Sequence, residues 1–169
     1  MKNNILFLFL ILSLFSYSQQ IAILWDDDPG TNYNGQTINI VQDYSSFDVY
    51  LHCQNISSLT HHIKFRRLIL NSTVTFSDQF CDNNLCYPCF GNDWTSPATN
   101  ILMPGDSCTM KGTFNFSSGA GNALIRYYIL DTNSNPIDSV DLNIINSVDI
   151  PLSKKLFDGI IYPKSSNSV

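Results

Sequence analysis

The residues with the most chemical potential in this 169-residue chain are its five cysteines. Three of them crowd into Cys81-Asp82-Asn83-Asn84-Leu85-Cys86-Tyr87-Pro88-Cys89. A Cys81–Cys86 disulfide closes a six-residue loop rich in turn formers and contributes about 2 kcal/mol by restricting the unfolded chain. Pairing of Cys81 with Cys89 is nearly as acceptable. Cys53 and Cys108 lie inside strand-like segments and can bridge only if those strands face one another. The odd count leaves one thiol over, which is Cys89 when Cys81 is joined to Cys86.

Two sharper uses of this cluster make up the alternative reading, an envelope thiol-redox or metal-binding protein built on Cys81, Cys86 and Cys89. Cys86-Tyr87-Pro88-Cys89 is a Cys-x-x-Cys pair, which exchanges disulfides where a helix N-terminus lowers the first thiol's pKa. The residues that follow, Phe90-Gly91-Asn92-Asp93-Trp94-Thr95-Ser96-Pro97, form loops rather than a helix, and no βαβ pattern surrounds them. Three thiolates with His61 or His62 would complete a zinc tetrahedron, at a spacing that is compatible but unspecific.

Tyr87, Phe90 and Trp94 share the longest loop and form a possible ligand loop for a sugar ring or a partner protein. Trp94 serves equally well as a cap on the core, which is the commoner use of such a residue. Asp26-Asp27-Asp28-Pro29-Gly30 gathers three carboxylates, but without the spaced Asp-x-Asp-x-Asp-Gly pattern of a calcium loop it reads as a charged strand end entering a turn. Nucleophile elbows, zincin helices and glycine-rich phosphate loops are all missing, and the chain has only three histidines. A non-catalytic module with no cofactor and no metal is the expectation.

These residues must be positioned by strands. Apolar side chains alternate with period two, between clusters of Gly, Pro, Asn, Asp and Ser. That pattern predicts strands at Ile21–Trp25, Thr37–Val41, Phe47–Asn55, Ile63–Leu70, Val74–Phe80, Ser107–Phe116, Leu124–Leu130 and Ser139–Ile145. In the third of these, Phe47, Val49, Leu51 and Cys53 share one face and Tyr50 and His52 the other. Met103-Pro104-Gly105-Asp106 and Asn133-Ser134-Asn135-Pro136 are turns. Residues 81–103 form the longest interval without strand character. The expected fold is an all-β, antiparallel immunoglobulin-like β-sandwich of seven to eight strands following a signal peptide.

The first 18 residues have the parts of a secretory signal: Lys2, an apolar run from Ile5 to Phe15, and Ser16-Tyr17-Ser18 as cleavage site. That run is far shorter than the roughly 20 residues a helix needs to cross a bilayer, so the mature chain is expected to have no membrane span. The signal makes the Sec export machinery a partner. Without Lys2, eight basic side chains face 14 acidic ones, and no basic cluster is longer than Arg66-Arg67 or Lys154-Lys155. A nucleic-acid partner, which needs concentrated positive charge, is excluded. Residues 19–147 are expected to form the sandwich, and residues 148–169 a linker and the start of a truncated second domain.

Phe80-Cys81 … Cys86-Tyr87-Pro88, Met103-Pro104-Gly105-Asp106-Ser107, Ile125-Arg126-Tyr127-Tyr128 and Asn135-Pro136-Ile137-Asp138-Ser139-Val140 resemble a small immunoglobulin-like domain of secreted Bacteroidetes proteins. Members of that group have a Cys-x-x-x-Cys-Tyr-Pro loop, and a type IX secretion sorting domain commonly follows. Ile161-Tyr162-Pro163-Lys164-Ser165 is similar to the opening of that sorting domain, with Lys164 and Ser165 in place of the usual Asn-Pro. The first loop has four residues between its cysteines rather than three, and Cys89 is additional. The resemblance implies type IX secretion machinery as a further partner and an unknown protein or glycan ligand. It places the protein in the medium or on the outer cell surface, or in the periplasm if the chain ends naturally as written.

Overall fold

The structure is a computed structural model that describes residues 19–43, 46–117 and 119–147. The expected signal peptide (1–18) and the expected linker and sorting-domain start (148–169) lie outside the described residues. Eleven strands form: β1 (Ile21–Trp25), β2 (Thr37–Gln42), β3 (Ser46–Asn55), β4 (His61–Ser72), β5 (Phe76–Cys81), β6 (Cys86–Cys89), β7 (Asp93–Thr95), β8 (Asn100–Leu102), β9 (Ser107–Phe116), β10 (Gly121–Leu130) and β11 (Pro136–Asn146).

They make an immunoglobulin-like β-sandwich. One sheet runs β1-β3-β9-β5-β6 and the other β2-β11-β10-β4-β7, with β8 added to the start of β4. All pairings are antiparallel except that of β2 with β11, which is parallel. The alternation read from the sequence is the alternation of burial. Val49, Leu51 and Cys53 on β3 face Cys108, Met110 and Phe114 on β9 within the core, as Phe65, Ile125, Tyr127 and Leu142 do from the other sheet. Each such apolar side chain contributes about 1.5–3 kcal/mol when fully buried. Phe47 and Phe76 are half-buried and stack on Phe114 and Phe116 with ring centroids 5.4–6.1 Å apart, which closes one end of the core.

All eight expected strands form, with small shifts at their ends. Val74 falls outside β5, because Ser72 and Thr73 turn the chain there by bonding the Val74 and Asn122 carbonyls. The strand count is larger than expected because the interval 81–103 contains β6, β7 and β8. Strands of three or four residues carry no alternation to read, and pairing with longer neighbours sets them.

Turn chemistry positions the strands. At Met103–Asp106, Gly105 takes φ +86° and Asp106 N–H donates to the Met103 carbonyl at 3.0 Å, the type II geometry that Pro-Gly favours. At the β10–β11 turn Asp131 Oδ1 accepts the Asn133 and Asn135 amides, both at 2.8 Å. Asn55, wholly buried, donates from Nδ2 to the carbonyls of Leu59 (2.7 Å) and Leu102 (3.0 Å) and accepts from the Ser57 amide, locking the β3–β4 turn onto β8. Replacing Asn55 with Ala leaves the buried Leu102 carbonyl without its donor. The expected cost is about 2 kcal/mol, read as a lower urea midpoint at unchanged m-value.

Candidate functional site

The site forms where the two sheets lie open along one side, between edge strands β6 and β7. Period two along β4 turns Ile63, Phe65 and then Arg67 inward, so an arginine with only 1% of its surface exposed enters the core. Its Nη2 donates to Asp78 Oδ1 on β5 of the other sheet at 2.8 Å, and its Nη1 donates to the Gly91 carbonyl at 2.7 Å. One guanidinium thus joins both sheets to the β6–β7 connection. Burial pushes the Asp78 carboxyl above its ordinary range, and the Arg67 charge works in the opposite direction. Arg67 Nε, Asp78 Oδ2 and the Tyr127 hydroxyl have no hydrogen-bond partner among the described residues.

The connection crosses the open side as an arch. Its β6 end hangs from β5 through a hairpin closed by the Cys81–Cys86 disulfide, with Cα atoms 3.9 Å apart. Its β7 end pairs with β4 at Arg66–Leu68, the Asn92 carbonyl accepts the Ile69 amide at 2.8 Å, and Arg66 grips Asp93 with two hydrogen bonds. Gly91 holds φ +69° at the bend, a conformation that suits glycine.

The aromatic residues of the loop divide. Trp94 packs on Phe80 and Tyr87 with centroids 5.9 and 5.8 Å away, so it caps the core and is not an open platform. Phe90 stands at the apex of the arch with 74% of its surface exposed, and Leu85 projects from the hairpin tip at 66%.

The cysteines sort as follows. Cys81 and Cys86 are bridged, while Cys53, Cys89 and Cys108 are buried free thiols. Burial, then the Asp78 charge, pushes the Cys89 thiol up to about 12, the reverse of the lowered pKa a redox pair needs. With Cys86 in the bridge and Cys89 facing the core, the Cys86–Cys89 exchange chemistry of the alternative reading has no geometric support. The zinc version fares no better: two of its thiolates are spent on each other, and among the described residues no three His, Cys, Asp or Glu groups converge on a metal position. Asp26 pairs with His52 at 3.0 Å and Asp28 accepts the Tyr33 hydroxyl at 2.7 Å, so the acidic run is held in local contacts.

Sequence reasoning missed the Arg67–Asp78 pair. The signal was present in β4, where Arg67 continues the inward set of Ile63 and Phe65. No helix among the described residues is long and apolar enough to cross a membrane.

No known family profile matches the chain, and no curated protein does. Solved structures match in shape. The N-terminal domain of PorA is 14% identical over 76% of this chain and 98% of that one, with a TM-score of 0.51. PapD-like domain 7 of human CEP192 is 11% identical over 76% and 86% at 0.39. A non-cellulosomal cohesin from the hyperthermophilic archaeon Archaeoglobus fulgidus is 11% identical over 75% and 92% at 0.36. The likeness is one of fold.

Arg67→Ala leaves the Asp78 carboxylate buried without its counter-ion and is expected to cost about 3–5 kcal/mol. The double change Arg67→Met with Asp78→Leu should recover most of that in urea denaturation. Recovery of none would mean that the loss does not come from the orphaned Asp78 charge but from another Arg67 contact, such as its bond to the Gly91 carbonyl. Cys89 should resist iodoacetamide at pH 8 in the folded protein and react on unfolding. Because its folded pKa lies above the unfolded value, its contribution to stability is complete below about pH 9 and is lost as pH rises toward 12. Cys89→Ala should therefore reduce the fall in stability over that window by one proton's worth, which pH-dependent denaturation checks.

Proposed function

We propose that this protein is a non-catalytic β-sandwich binding module that works outside the cytoplasm, at the cell surface or in the medium, as part of a type IX secretion cargo protein. The observation that carries the binding role is the arch: an exposed Phe90 on a segment fixed by a disulfide, a buried ion pair and strand pairing at both ends. A large apolar side chain held rigidly in the open loses little entropy on binding, and such positions mark interfaces. The secretion role draws on the leader-like residues 1–18 and on the resemblance of Ile161-Tyr162-Pro163 to a sorting-domain opening. The fold likeness to the N-terminal domain of PorA agrees with a small modular role.

The test combines location and binding. Protease treatment of intact source cells should degrade the protein, or the medium should contain it; recovery only from the cytoplasm would overturn the placement. Labelled full-length protein should bind washed source-cell envelopes saturably. Phe90→Ser, with unchanged circular dichroism, should weaken binding about tenfold or more, the effect of removing one central aromatic anchor. Equal binding by wild type and variant would remove the arch as the contact surface.

A further inference from the structure

The strand register sets two thiols face to face. Cys53 on β3 and Cys108 on β9 are directly opposed partners in the antiparallel ladder at the centre of the first sheet, both wholly buried on its inner face. Directly opposed residues of an antiparallel pair stand about 4.5 or 5.5 Å apart at Cα. Both spacings lie within the roughly 4.4–6.8 Å that a disulfide spans. The position is also braced. Asn83, inside the hairpin closed by the Cys81–Cys86 disulfide, accepts the Thr109 amide at 2.9 Å and donates to the Ser107 carbonyl at 3.3 Å. That side chain bonds β9 on either side of Cys108.

We propose that Cys53 and Cys108 are the site of a second disulfide, a cross-strand bond between two interior strands of the first sheet, and that Cys89 is then the single free thiol of the mature protein. The reaction is thiol–disulfide exchange with an oxidised dithiol donor of the kind found in exporting compartments. One of the two cysteines, as thiolate, attacks one sulfur of the donor disulfide and releases the other as thiolate. The second cysteine, as thiolate, then attacks the protein sulfur of the mixed disulfide and releases the second donor sulfur. Two protein thiols give up two protons and two electrons, and the donor leaves as a dithiol. In the finished sheet the hydrogen bond between the two thiols lowers Cys108 and, together with burial, holds Cys53 far up. With both sulfurs buried in the finished fold, exchange takes place before the sandwich closes.

The test is alkylation of the full chain, exported through its own leader and denatured without reductant. The expected product carries one alkyl group, on Cys89. Trypsin leaves Cys81, Cys86, Cys89 and Cys108 between Arg67 and Lys111, so cleavage before Asp82, Asp93 and Asp106 is added, which parts Cys81 and Cys108 from the fragment 82–92 that holds Cys86 and Cys89, and fragmentation of that peptide places the label on Cys89. A fragment linking Cys53 to Cys108 and parting on reduction is expected, and Cys89→Ala should take up no label at all. Three alkyl groups on the exported protein, two on Cys89→Ala, or a link from Cys53 to any other cysteine would overturn the proposal. The same chain made in a reducing cytoplasm should take label at both Cys53 and Cys108.

Discussion

A guanidinium buried between two sheets constrains everything on the open side of this sandwich. Sheets hold together within themselves by ladders, but their edges need a reason to stay closed, and an apolar seam alone would leave the β6–β7 connection free to lift. Arg67 supplies that reason by reaching from one sheet to Asp78 on the other and to the Gly91 carbonyl in the connection. Burying such a pair adds little net stability compared with apolar packing. What it adds is a fixed geometry, because a charge without its partner in that position is far costlier than a displaced methyl group.

The same economy explains a composition with only 14% charged residues and many Asn, Ser and Thr. Short polar side chains satisfy backbone groups that no ladder reaches. Asp82 accepts the Asn84 and Leu85 amides in its hairpin, and Asn34 bonds the Ile21 carbonyl and amide of Ile23 beside Asp138. Each is a local substitute for a missing strand neighbour. The chain thus keeps many of its polar groups at the turns and strand ends and leaves the inner faces of the sheets mostly apolar, with Arg67–Asp78 as a charged pair within the core.

How far residues could be read before coordinates follows from the range of the physics. Alternation is a property of neighbours, so β3, β9 and β10 were legible with their inward faces. β6, β7 and β8 were not, since three or four residues hold no period and their partners lie elsewhere in the chain. Arg67 facing inward was implied by Ile63 and Phe65, but Asp78 as its partner was not, because sheet-to-sheet contact depends on topology. Trp94 as a cap and Phe90 as the exposed apex depended on which end of the loop joins which sheet. Cys53 and Cys108 were each placed in strands, yet their opposition required the β3–β9 register, which only the assembled sheet defines.

The parallel attachment of β2 sets an order of events in time. Thr37–Gln42 finds its ladder only on β11, and the Asn39 and Asn143 side chains that bond across the join are 104 residues apart. A chain emerging from its amino end exposes Ile38 and Ile40 long before residues 141–146 exist to cover that edge. Loop closure over so long a segment is slow relative to local hairpins. β1 and β3 pair across residues 26–45, a connection that contains β2, while β2 itself must wait for β11, the last of the described strands. The second sheet therefore completes its edge as a closing step, and during that interval two isoleucines destined for the core are available to a chaperone or to another copy of the chain.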